Sequence, residues 1–177
     1  DLYQQAFNYI QKINGTLSKA EINCLTNTVL TYSDLITTRK TDYKFDLEKF
    51  TNVSGKTGLY VQYAQVRANK LVHNISKDKP LLQMPTSPLG SLDRKLIIAL
   101  ANIEFYLELS LKNNEPHHLA NYLYDISNSF NVFYQDSNIK KIKDESERSK
   151  KIFIANLFIE YSHLVMSCLG ITPVKKM

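Results

Sequence analysis

Thr57-Gly-Leu-Tyr-Val-Gln-Tyr-Ala-Gln-Val-Arg-Ala-Asn-Lys70 contains no proline, and its residue types recur with helical rather than strand periodicity. At about 100° of rotation per residue, Val61, Ala64, Ala68, Leu71, Val72 and Ile75 align in one apolar stripe. Tyr60, Tyr63, Arg67, Lys70 and Asn74 fall within an arc of roughly 80° beside it. The spacing predicts a long helix starting near Thr57. One face suits a core, and a second, aromatic and cationic, runs alongside.

The same periodicity extends in both directions. Ser18-Lys-Ala-Glu21 is a capping box. Ile22, Leu25, Val29, Tyr32 and Ile36 follow it at alternating helical spacings. A preceding helix is predicted over Leu2–Ile13, and residues 37–55 read as polar and broken. Downstream, residues 76–91 read as a loop, because Lys77-Asp78-Lys79-Pro80, Pro85, Pro88 and Gly90 all discourage regular structure. Leu92, Leu96, Leu100, Ile103 and Leu107 predict one inward-facing helix that ends at Lys112-Asn113-Asn114. Pro116 suits a first helical position, and Leu119, Leu123, Ile126, Phe130 and Phe133 continue the 4, 3, 4, 3 rhythm. Lys140–Lys151 mixes charge signs and reads as a solvated connection. The helix at 149–169 is apolar on several sides (Ile152, Phe153, Ile154, Leu157, Phe158, Ile159, Leu164, Val165), so it is predicted to be central. Gly170 and Pro173 end it. The fold expectation is an all-α helical bundle over 55–177, with a helical lead-in within 1–54.

Composition agrees. The chain has 177 residues, a net charge of +5, and only 5 Gly and 5 Pro, so breakers are few. Its longest apolar run, Leu96–Ala101, is far short of the ~18 residues of a membrane span, so no membrane association is expected. The start, Asp1-Leu-Tyr-Gln-Gln, lacks the basic-then-apolar order of a signal peptide. Cys24 and Cys168 are read as buried thiols in a reducing cytosol rather than a bridge. The modest positive charge permits an anionic partner without requiring one.

Self-contained catalytic chemistry is missing. There is no Gly-rich phosphate loop, CxxC or HExxH. His117 and His118 are adjacent, point about 100° apart on a helix and have no carboxylate four residues on, so no metal site is expected. Cys168 and His163, five apart, do not form a nucleophile pair. The Tyr60–Lys70 stripe stands out instead. Tyrosine offers a π face for an unstacked base, arginine a stacking plane with a phosphate-binding fork, and lysine a phosphate charge. On spacing alone, a solvated face with half-buried tyrosines is the better explanation, because tyrosine and lysine are abundant throughout the chain.

Motif resemblance separates the two. Ser54-Gly-Lys-Thr-Gly-Leu-Tyr-Val-Gln-Tyr-Ala-Gln-Val-Arg67 resembles the GxTGPYLQYAHAR motif of arginyl-tRNA synthetases. Tyr32-Ser-Asp-Leu35, Arg39 and Asp42-Tyr-Lys-Phe-Asp46 are similar to the family's YxDL…R…DYxFD stretch. Glu115-Pro-His-His-Leu-Ala-Asn-Tyr-Leu-Tyr124 and Phe130-Asn-Val-Phe-Tyr134 resemble EPHxLAxYLYxL…FNxFY, and Leu169–Met177 resembles LGIxxPxxM. The matches run in order from residue 32 to the end. Asp1–Ala6 is similar to the DLLxEA run that follows the KMSK loop in that family.

The resemblance implies a class I aminoacyl-tRNA synthetase that joins L-arginine to tRNA-Arg using ATP, with magnesium. Neither HIGH nor KMSK occurs here, so the chain is expected to be an inactive C-terminal fragment with no cofactor of its own. Residues 1–54 would be the tail of the catalytic region and the stem-contacting junction, and 55–177 the anticodon-binding bundle. The expected setting is a cytoplasmic monomer. The resemblance places Tyr60, Tyr63 and Arg67 against the anticodon loop, with Tyr134 and the terminal Met177 approaching it, and the stripe adds Lys70. Leu59 stands where the family usually has Pro, and Gln65 where it has His. The rival expectation is a helical protein-interaction module that binds no RNA.

Overall fold

The computed structural model describes residues 1–75 and 87–177. Among these residues eight α-helices and one 3-10 turn form the fold, and no strand occurs. Helix α1 spans Leu2–Ile13 and α2 Lys19–Leu35. Glu21 donates its backbone N–H to the Ser18 hydroxyl and accepts from Ser18 N–H, closing the predicted capping box. Residues 37–55 are irregular as expected, except for one helical turn, α3 (Leu47–Phe50). The Asp46 carboxylate starts that turn by accepting from Lys49 N–H.

Helix α4 (Gly58–Ile75) is the long helix predicted from residue 57. Its entry is tight, because a Cβ on Gly58 would lie 2.8 Å from the Thr28 carbonyl oxygen of α2. Only glycine permits that helix–helix approach. Asn74 and Ile75 belong to the helix backbone, but their side chains lie outside the described residues. So does most of the expected loop, over 76–86.

The single helix predicted from Leu92 to Asn113 is two helices. α5 (Ser91–Ala101) and α6 (Ile103–Asn113) are separated by Asn102. The Tyr122 hydroxyl donates to the Leu100 carbonyl at 2.7 Å, competing for a carbonyl that a continuous helix would use internally. Asparagine is a weak helix former and yields at that point. α6 then packs along α7 (His117–Ser137). Asn114 caps α6 in the left-handed conformation (φ 54°) as predicted, and Pro116 sits one position before the first helical residue of α7.

The final helix, α8 (Glu145–Cys168), begins earlier than the predicted Ser149 because Asp144 caps Glu147 N–H. It packs against α4, α5 and α7 and is central as expected, although Leu164 faces solvent. Gly170 (φ 71°) ends it: Ile171 N–H bonds to Met166 O and Gly170 N–H to Ser167 O, a Schellman closure.

Two hydrophobic cores result. The larger joins Val61, Ala64, Ala68 and Leu71 of α4 to Leu96, Leu123, Phe130, Phe158 and their neighbours from α5, α7 and α8. The smaller gathers Phe7 and Ile10 of α1, Leu25 and Val29 of α2, Leu59 and Val66 of α4, and Val174 of the C-terminal segment. Both cysteines are free as expected, but Cys24 is only half-buried and Cys168 is exposed. The expected burial fails for Cys168 because it lies on the outward side of the last turn of α8.

The charge-mixed segment contains the largest departure from expectation. Lys150 and Lys151 are buried rather than solvated, because both reach Asp93, which is fully buried at the start of α5. Asp93 also accepts from Gly90 N–H at 2.8 Å, and Lys150 donates to Pro88 O and Glu147. Burial by itself raises the Asp93 pKa. The Lys151 and Gly90 hydrogen bonds and the two ammonium charges outweigh it, holding the carboxyl below its ordinary value. A depressed carboxylate contributes stability that is present above its unfolded pKa and lost as pH falls through its folded one. We therefore expect Asp93→Asn to cost about 3 kcal/mol in urea unfolding at neutral pH, because it leaves two buried ammonium groups with only the half-exposed Glu147 carboxylate between them. The wild-type advantage should shrink as pH drops below about 4.

Candidate nucleic-acid interface

The interface begins with the side of α4 that neither core covers. From Gly58 to Ala68 every residue is buried except Tyr60, Tyr63 and Arg67. The apolar stripe fills the larger core. The opposite side, with Leu59, Gln62, Gln65 and Val66, is equally buried. What remains open is the predicted aromatic and cationic arc. Thr57 aims it, accepting from Tyr60 N–H at 3.1 Å and donating to the Asn52 carbonyl.

Arg67 is the centre of the arc. Its guanidinium lies 4.2 Å from the Tyr134 ring centroid and 5.2 Å from that of Tyr63. One of its nitrogens, Nη1, donates to Asn131 Oδ1 at 2.9 Å, which fixes the plane of the fork. Tyr63 is 41% exposed and is the open ring of the group. Tyr134 also packs against Phe130, with ring centroids 6.0 Å apart. Tyr60 lies one turn back in a neighbouring cluster. Its hydroxyl donates to Asn128 Oδ1 at 3.1 Å and its ring packs at 5.3 Å on Tyr124. Lys56 approaches the Tyr124 ring at 5.5 Å and donates to Asn121.

The structure thus brings Tyr63, Arg67 and Tyr134 into one stack, with Tyr60 beside them. Lys70 is exposed further along α4 and lines a separate groove. Met177 does not join the stack, because its side chain packs against the smaller core. Sequence reading missed Asn121, Tyr124, Asn128 and Asn131. They are spaced 3, 4 and 3 along α7 and form a polar stripe facing the one on α4, so helical periodicity applied to α7's polar residues would have found them.

Gln62 is the other missed residue, and it orients the C-terminal segment. Fully buried, its amide donates to Thr28 Oγ1 and to Thr172 O, while Oε1 accepts from Val174 N–H at 3.0 Å. Lys176 adds a long contact with Glu21 at 3.8 Å. Neither departure from the family motif touches the stack. Leu59 is buried in the smaller core, and Gln65 faces α8, accepting from the Ser162 hydroxyl.

Glu115, His117 and His118 form the one cluster of described residues with metal-ligand chemistry, their ligand atoms within 4.8 Å of one another. The carboxylate missing after the histidines comes instead from before them. Lys40 already holds it at 2.7 Å, and His118 Nε2 lies 3.3 Å from it, so the arrangement is an ion-paired junction. No helix among the described residues is long and apolar enough to cross a membrane.

An α-helical bundle in which the open arc of α4 carries an arginine between two tyrosines has the form of a helical nucleic-acid-binding domain. The sequence matches the DALR anticodon binding domain family over residues 61–177, and the chain belongs to that family. It is 29% identical over 184 residues to an arginine–tRNA ligase of Francisella tularensis, covering 100% of this chain and 32% of that protein. The arginine–tRNA ligase of Hamiltonella defensa is also 29% identical, with 98% of this chain and 31% of that protein covered. The chain therefore spans about a third of the length of the curated relatives it matches. Among solved structures, Thermus thermophilus arginyl-tRNA synthetase superposes with a TM-score of 0.87 at 20% identity, over 99% of this chain and 31% of that one, a likeness of fold. Plasmodium falciparum arginyl-tRNA synthetase gives 0.75 at 26% identity, over 99% and 31%.

Replacing Gln62 by Met keeps the volume but leaves the Val174 N–H without a partner and the Thr172 carbonyl with only the weak Cys24 thiol donor. We expect a loss of about 1–3 kcal/mol. Amide exchange should accelerate at residues 172–177 while the α7 and α8 amides stay protected.

Proposed function

We propose that this chain binds the anticodon stem-loop of tRNA-Arg as part of an arginine–tRNA ligase that joins L-arginine to its tRNA using ATP. One observation carries the reading. In a member of the anticodon-binding family, the only side chains of α4 that escape burial between residues 58 and 68 are Tyr60, Tyr63 and Arg67. Tyr63 offers its free face to an unstacked base. Tyr134 and Asn131 hold the Arg67 fork rigid, and its remaining N–H groups meet a phosphate or a base edge. Tyr60 and the asparagines of α7 supply hydroxyl and amide groups at the margin. Met177, with Lys175 and Lys176, borders the same helix from the side of the smaller core. Lys70 adds a phosphate charge.

In this reading residues 1–54 are the tail of the catalytic region and the stem-contacting junction, and 55–177 the anticodon-binding bundle. Arginine, ATP and magnesium act in the catalytic region, and no residue of this chain is assigned a catalytic role. The enzyme works as a cytoplasmic monomer.

A second reading, docking of a protein partner, has one observation in its favour. Ile98, Phe105 and Leu111 on α5 and α6 are more than half exposed. Ionic strength separates the two, because RNA affinity falls steeply with salt whereas apolar docking does not. For the RNA reading, Tyr63→Ala should weaken binding of a tRNA-Arg anticodon stem-loop by about 1–3 kcal/mol in a fluorescence titration. Thermal unfolding should be nearly unchanged, since the ring is 41% exposed. Unaltered affinity would remove Tyr63 from the interface. Equal binding of a stem-loop with a changed middle anticodon base would remove base reading altogether.

A further inference from the structure

Behind the Tyr63–Arg67 stack lies a second open feature that the stack does not use. α4, α8 and the C-terminal segment enclose a cavity of about 570 Å³. Its lining carries the ammonium groups of Lys70 from α4 and Lys175 from the C-terminal segment and the imidazoles of His73 from α4 and His163 from α8, and no carboxylate is among its lining residues. Glu160, one turn before His163, is exposed on α8 without lining the cavity. The remaining polar lining is amide, from Gln65 and Asn69. No tyrosine, phenylalanine or arginine lines it, and its only rings are the two imidazoles, smaller stacking surfaces than the Tyr63 ring. Two lysines beside imidazole and amide donors, with no carboxylate to repel an anion, match phosphate oxygens.

The walls are set before any ligand arrives. Gln65 is tied to Ser162 across the α4–α8 contact. Val174, next to Lys175, is buried and hydrogen-bonded to Gln62. Lys175 therefore projects from fixed backbone rather than from a frayed end. Lys70 belongs both to the aromatic arc by its helical angle and to this cavity by its position, so the two surfaces are continuous along α4.

The geometry points to a second RNA-contacting site: the Lys70–His73–His163–Lys175 groove takes phosphodiester groups of the strand whose bases meet the Tyr63–Arg67 stack. This rests on the anticodon reading and extends its footprint around α4 to α8. The groove contributes affinity without base preference, whereas the stack contributes the preference.

The test pairs two readouts on this chain. First, stem-loop affinity is measured across salt concentrations for wild type, for a His163→Gln/Lys175→Gln double variant and for Lys175→Arg. Both positions are exposed, and circular dichroism confirms folding. The double variant should bind more weakly to stem-loops of any anticodon, with a log–log salt slope shallower by about one. Lys175→Arg should keep the wild-type slope. Second, the imidazole signals of His73 and His163 are followed by NMR during addition of the stem-loop and of a single-stranded uridine tetranucleotide, with His117 and His118 as internal controls. Selective shifts at His73 and His163 support the groove. If the wild type binds the stem-loop but the slope is unchanged and those two rings stay silent, the groove is refuted and the anticodon reading stands. If the stem-loop does not bind, the anticodon reading falls and the tetranucleotide decides the groove: shifts at the two rings retain it, silence overturns it.

Discussion

Helix α4 is clamped between two hydrophobic cores, and the rest of the fold depends on that clamp. Most surface helices bury one stripe and leave the remainder in water. Here Val61, Ala64, Ala68 and Leu71 fill one core while Leu59 and Val66 fill another. The glycine contact between Gly58 and Thr28 brings α2 close enough for the second burial. A helix held on both sides has no rotational freedom, so its one open arc is aimed by the packing of everything around it. Rigid presentation lowers the ordering cost when a flexible single strand binds.

Polar interactions finish what the cores begin. Gln62 sits in a dry position and spends every hydrogen-bonding group on backbone or hydroxyl partners that belong to other elements. It turns the last residues from a loose end into a wall of the fold. At the far end of the bundle, Asp93 gathers two lysines and the start of α5 around one carboxylate. Both groups are satisfied networks. Such networks specify one arrangement strongly and become costly when a single partner is removed.

Much of this was legible in the sequence. The helices at 2–13, 19–35 and 58–75 followed from apolar spacing, the Ser18–Glu21 box and the breakers around them. The stripe of Tyr60, Tyr63 and Arg67 followed from the same arithmetic. Tyr134 required the resemblance, since nothing in its own segment marks it as a partner of Arg67. The break at Asn102 was not legible, because it depends on the Tyr122 hydroxyl, twenty-two residues away, taking the Leu100 carbonyl. Nor was the burial of Lys150 and Lys151. A run of mixed charges reads as solvated unless one knows that a buried aspartate from another helix waits opposite.

Taken alone, the sequence determined the all-α class, most helix boundaries and which residue types share a face. Those properties depend on local periodicity and capping, whose partners lie within four residues. Tertiary structure alone decided which face stays open. Tyr63 and Leu59 lie only about 40° apart around α4, yet one meets solvent and the other the second core. It also set Tyr134 against Arg67, moved Met177 away from the stack and assembled the groove behind Lys70. Each of these joins groups far apart in the chain, and the packing of helices, which no local pattern encodes, sets the distance between them.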